Sequence, residues 1–155
     1  MPARRKSRQR AVQVLFLWDS RKFSVDESIR IFAESLCTAE YEEETGEEPT
    51  HHPEPDHFME RLVRGTAAQV VELDGFIARR AENWRLERMP IVDRNILRMA
   101  IYEMKTLGTP PAVVIDEALE LARRYSEEEA VPFVNGVLDA IRKIIFPEVL
   151  NTGGS

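Results

Sequence analysis

A single cysteine, Cys37, stands in the whole chain. No internal disulfide framework is available, which suits a reducing cytosol. Long apolar runs are missing as well. The longest, Val14–Trp18, falls far short of the about 20 residues that span a bilayer. Strand signals are nearly absent: there is no useful apolar/polar alternation and no Asn-Gly or Asp-Gly hairpin between β-branched runs. The sequence also has no phosphate-cradling glycine loop, no dinucleotide fingerprint, no nucleophile elbow and no H-E-x-x-H pair. Cys37 falls on an apolar helical stripe and reads as core rather than nucleophile. These absences argue against a familiar enzyme, a resident cofactor and a membrane protein. Acidic residues, abundant elsewhere, are missing from the first ten positions.

What those ten positions do hold is Arg4, Arg5, Lys6, Arg8 and Arg10, in a chain whose formal charge is −6. An acidic body with a basic tip is suited to docking a polyanion at one place. A solvated terminal arm without a ligand has the same composition. The stretch Arg4–Trp18, RRKSRQRAVQVLFLW, then turns abruptly apolar. At 3.6 residues per turn Ala11, Leu15 and Trp18 share a face, with Val12 and Phe16 beside them. The start imitates a signal peptide, but Gln13 interrupts it, Asp19 follows it, and no small-residue cleavage site appears. The expected location is the cytoplasm.

Elsewhere, too, apolar residues recur at three and four. The first helix is expected from about Arg4 to Arg21. Ser24 reads as the N-cap of a second helix, with Glu27 completing a capping box. Residues 40–55, dense in glutamate and holding Gly46, Pro49, Pro53 and Pro55, read as an exposed acidic loop. His51, His52 and His57 lie in or beside it with Glu54 and Asp56. Imidazole and carboxylate are zinc ligands, but a proline-rich loop gives them no rigid frame, so no metal is expected. A long third helix is expected over about Asp56–Glu82, with Gly65 at a close helix approach. Trp84–Met89 reads as a link and Pro90 as a helix start. Gly108 is placed to end that helix and Thr109 to cap the next, which Arg123 and Arg124 close. Val134, Val137, Leu138, Ile141 and Ile145 make the last stripe, stopped by Pro147. Arg98 and Glu117, on neighbouring helices, are a candidate ion pair. The expected fold is all-α with about seven helices. Its domains are an N-terminal bundle over 1–83 with its basic arm, a C-terminal bundle over 84–150, and a tail over 151–155.

The remaining chemistry is that of binding. Arginine's planar fork suits phosphate and stacks on bases. Single-stranded RNA binders pair such cations with aromatic platforms. In Pro132–Asp139, Phe133 offers a platform beside Asn135 and Gly136, though an aromatic at a helix entry also serves as core.

The runs RRKSRQRAVQVLFLW, WRLERMPIVDRNILRMAIYEM, VVIDEALELARRYS and FVNGVLD, in this order and spacing, resemble the NusB family of bacterial transcription antitermination factors. The resemblance covers nearly the whole chain apart from the acidic loop and the tail. It implies two small helical bundles and a job: binding boxA-type single-stranded RNA with the small-subunit ribosomal protein NusE. That assembly supports an RNA polymerase antitermination complex, notably in ribosomal RNA operons. By position, Arg4, Arg5, Lys6, Arg8, Arg10 and Phe133 match the family's RNA-binding residues. Glu87, Asp93 and Glu129 match regions near its partner. Phe16 stands where some members have tyrosine, and Asp116 where asparagine is common. The family includes monomers and dimers, and the sequence leaves a homodimer open. Two alternatives are the NusB-like domain that fronts some ribosomal RNA cytosine methyltransferases and a helical interaction module without an RNA role.

Overall fold

Ser24 begins the second helix as expected: its Oγ accepts the Glu27 amide at 3.1 Å. The computed structural model describes residues 3–45, 55–81 and 85–147, with the side chains of 37–45 outside the description. Among the described residues every regular element is helical. They are α1 (Arg4–Arg21), α2 (Val25–Thr45), α3 (His57–Ala68), α4 (Val70–Arg80), α5 (Ile91–Tyr102), α6 (Pro111–Tyr125) and α7 (Ala130–Ile145). A 3-10 turn, Leu86–Arg88, precedes α5, and a π-helical turn, Glu103–Leu107, follows it. The all-α expectation holds in these residues.

Two boundaries differ from the sequence reading. Helix α2 continues to Thr45, into the stretch read as the start of the acidic loop. Glutamate and alanine are good helix formers, so acidity alone does not end a helix. The histidine pair His51 and His52, Cys37's side chain, Trp84 and the tail 151–155 lie outside the described residues. Among the described residues no cluster suited to a metal occurs.

The expected third helix is in fact two. Gln69 leaves the helical region at φ −104°, ψ 15° and separates α3 from α4. The chain divides there, into units 1–68 and 69–155, and not at residue 83 as the sequence suggested. The reason is that the two halves of the stripe serve different cores. Met59, Leu62 and Val63 of α3 are buried in the first unit, where α3 packs on α1 and α2. Leu73 and Ile77 of α4 are buried in the second, where α4 packs on α5 and α7.

The first bundle closes Ala11, Val12, Val14 and Leu15 of α1 against α3, with Ile29 and Phe32 of α2. The second is built round α5, which meets α4, α6 and α7. From Asn95 to its end at Tyr102 it is buried at every position, as are Glu103 and Met104 of the π turn, so the stripe legible in the sequence was only one of its faces. The π turn ends at Gly108, whose φ of +70° is the left-handed cap conformation. Thr109 does not cap α6. Its Oγ1 donates to Glu103 Oε1 at 3.2 Å instead, and Pro110 and Pro111 begin the helix. Arg98 gives its guanidinium fork to Asp74: Nε to Oδ1 at 2.6 Å and Nη2 to Oδ2 at 2.9 Å.

Near the end of α7, Arg142 Nη2 donates to Asp139 Oδ1 at 2.7 Å, and Lys143 Nζ lies 3.2 Å from Oδ2. Those two hydrogen bonds, Arg142's first, hold the Asp139 carboxyl below the ordinary aspartate range. A lowered folded pKa stabilises above the unfolded value and ceases to do so as pH falls through the folded one. A side-chain carboxyl NMR titration of Asp139 should therefore show a depressed midpoint, and Arg142→Ala should move it back up. An unchanged midpoint in Arg142→Ala would remove the arginine as cause.

Candidate nucleic-acid interface

Helix α1 begins at Arg4, so the basic residues are not an arm ahead of the helix but its first turns. A helix of this length points neighbouring side chains apart by about 100°, which sorts the five cations into different surroundings. Arg8 is only 5% exposed. Its guanidinium lies 5.4 Å from the centre of the Phe58 ring, and that of Arg4 lies 4.7 Å from the same ring. Arg10 turns inward to Asp56, with Nη1 to Oδ2 at 3.1 Å. Arg4, Arg5 and Lys6 remain exposed.

Asp56 is the residue the sequence reading underrated. It is 6% exposed and organises the first bundle. Its Oδ1 accepts the Met59 amide at 3.0 Å and so caps α3. The Ser7 hydroxyl donates to both of its oxygens, at 2.8 and 3.0 Å. With Arg10 added, one carboxylate ties the start of α3 to the start of α1. Its role as a cap was legible, three residues before the apolar stripe of α3. Its partners, 46 and 49 residues away, were not.

The opposite face of α1 is a polar stripe. Arg5, Gln9, Gln13, Phe16 and Ser20 follow one another at spacings of four, four, three and four, with Lys6 alongside. Gln9 and Ser20 are half-buried and the others exposed. Phe16, expected beside the core, is instead 40% exposed. The stripe is about 22 Å long at 1.5 Å per residue, enough for several nucleotides. It offers two cations, two amides, a hydroxyl and an aromatic face, a set that suits phosphate, base edges and a stacked base.

The other candidates lie in the second bundle. Glu129 is exposed at the N-cap of α7, and Phe133, one turn on, is half-buried. Their spacing of four places both on one side of the helix start. Glu87 is exposed in the 3-10 turn. Asp93 is buried and accepts the Ser126 hydroxyl at 2.5 Å. A carboxylate so placed does not present itself to a partner. It fastens α5 to the turn that leads into Glu129.

A family model described as the NusB family matches residues 5–143. The chain belongs to the NusB family. A relative from Solibacter usitatus, named transcription antitermination protein NusB, is 54% identical over 143 residues, covering 92% of this chain and 90% of its own length. Among solved structures, T. maritima NusB superposes with a TM-score of 0.72 at 31% identity, over 92% of each chain. A structure described as antitermination factors NusB and NusE in complex with double-stranded RNA gives a TM-score of 0.67 at 29% identity, over 91% of this chain and 96% of that one. The family match takes in α1 with its exposed stripe and the start of α7 with Glu129 and Phe133.

Proposed function

We propose that this NusB-family chain is an RNA-binding transcription antitermination factor, which takes boxA-type single-stranded RNA together with the ribosomal protein NusE. It acts within an RNA polymerase antitermination complex in the cytoplasm, without catalysis of its own. The observation that carries this reading is the exposed stripe of α1, which runs from the cations Arg5 and Lys6 at its start to the open face of Phe16 three turns on. Antitermination names the curated relatives, and a structural relative is held with NusE and RNA. No helix among the described residues is long and apolar enough to cross a membrane.

That relative's RNA is double-stranded, which is the second reading. Phe16 favours a single strand, because a base within a duplex has no free face to stack on an aromatic ring. Phe133, half-buried at the α7 start, is a second platform in this proposal, and Glu87 and Glu129 are its NusE contacts. In this proposal Arg8 and Arg10, which meet Phe58 and Asp56, support α1 and do not contact the RNA.

Binding of single-stranded RNA should weaken with salt at a logarithmic slope of about −0.7 per phosphate neutralised, or roughly −1.4 for Arg5 and Lys6 together. Arg5→Ala with Lys6→Ala should therefore flatten the slope by about 1.4 units and weaken all RNAs alike. Phe16→Ala should cost about 1–3 kcal/mol of binding and leave the slope unchanged. Anisotropy titrations over a salt series, on single and duplex RNA, check both. Unaltered binding in both variants would end the α1 reading. Tighter binding of duplex would favour the alternative.

A further inference from the structure

Four arginines and two glutamates fall within residues 79–88, reversing locally the sign of a chain that carries −6 overall. Arg79 and Arg80 form the last turn of α4, and Arg85 and Arg88 belong to the 3-10 turn. All four are exposed. Among the described residues none of them makes an ion pair, although Glu87 lies within the same turn. The two elements touch. The turn is held in shape from below: Arg94 Nη1 donates to Leu86 O at 3.2 Å, and the Arg88 amide to Arg85 O at 2.9 Å. Arg79 and Arg80 also suit the negative end of the helix dipole. That explanation stops at the helix end and does not reach Arg85 or Arg88.

We propose that Arg79, Arg80, Arg85 and Arg88 form a second anion surface, on the second bundle, that takes the phosphate backbone of RNA flanking the bound motif. The inference rests on the RNA-binding reading above. Four guanidinium forks with no lysine among them suit phosphate oxygens, which they meet in bidentate pairs. Guanidinium forks that meet phosphate oxygens grip the backbone, which is the same whatever the base sequence. Such a grip adds length-dependent affinity, because the second hold on a tethered strand is intramolecular.

The test uses the full chain and two RNAs with the same boxA-type motif. One is about 12 nucleotides, within the footprint of one surface; the other has scrambled flanks and is roughly three times as long. The wild type should bind the longer RNA about tenfold tighter. Replacing Arg79, Arg80, Arg85 and Arg88 with glutamine should leave the short RNA within about twofold. It should abolish most of the length advantage and flatten the salt slope on the long RNA by about 0.7 for each phosphate no longer neutralised. The all-lysine version should keep the slope and recover part of the advantage. Thermal melts of both variants should match the wild type, since the replaced groups are exposed. Retention of the full length advantage and slope by the glutamine variant would overturn the proposal. So would unchanged RNA binding combined with lost binding to polyglutamate, which would assign the surface to an acidic protein. Arg5→Ala with Lys6→Ala separates the two readings: it should weaken both RNAs. If it does not, α1 is wrong, and the length comparison still decides the second surface. A wild type that binds neither RNA refutes both.

Discussion

Asp56→Ala is expected to destabilise the first bundle by about 3–5 kcal/mol, through the loss of three interactions at once. The substitution removes the cap of α3, which alone is worth about 1 kcal/mol. It also removes the acceptor of the buried Ser7 hydroxyl and the counter-charge of Arg10, whose side chain is 14% exposed. Loss of one partner from a buried pair costs more than the pair itself contributes, because the other charge stays behind, desolvated. Asp56→Asn separates these effects. Asparagine caps a helix about as well as aspartate and still offers an oxygen to Ser7, but it brings no charge to Arg10. About half of the loss should therefore remain. Urea unfolding followed by Trp18 fluorescence in a Trp84→Phe background reads the bundle that contains Asp56. If Asp56→Ala stays within about 1 kcal/mol of the wild type, or asparagine proves as harmful as alanine, the carboxylate does not tie the two helices in this way. The same logic applies to Arg10→Ala, which should lower stability and not act mainly through RNA.

In the second bundle Asp74→Ala should cost about 3 kcal/mol and Arg98→Met only about 1. The order follows from exposure. Arg98 is buried in the middle of α5, with Asn95 Oδ1 accepting from Nη1 at 3.1 Å, and loss of Asp74 removes the carboxylate that its Nε and Nη2 meet. Asp74's side chain is 28% exposed and can turn to water when Arg98 is gone. Methionine meanwhile replaces much of the aliphatic packing of the arginine stem. The double variant should fall close to Arg98→Met, since the buried charge is then absent. Denaturant midpoints of the four proteins test the cycle. A larger loss in Arg98→Met than in Asp74→Ala would reverse the order, making the guanidinium's packing more important than its charge balance.

The helical class, the Ser24 cap, the Gly108 stop and most apolar stripes were legible in the residues themselves. Each depends on groups within about one or two turns of one another, so local spacing is enough. The family's motifs likewise stand in the linear order of the chain. The division of α1's cations was not legible. Arg8 and Arg10 look like Arg5 and Lys6 in composition, and only the burial of Arg8 and the arrival of Asp56 at Arg10 separate structural cations from exposed ones. Phe16 belonged to a plausible apolar face until α3 took the side of the helix that holds Ala11, Val14 and Leu15. The break at Gln69 was hidden for a related reason: one continuous stripe fits one helix as well as two, and the choice depends on which core each half meets. Asp93 shows the limit from the other direction. Its position suggested a surface, and a single hydrogen bond from Ser126, 33 residues away, places it beneath one. Local periodicity determined the elements; long-range partners, which no window of sequence contains, decided which charged groups face solvent.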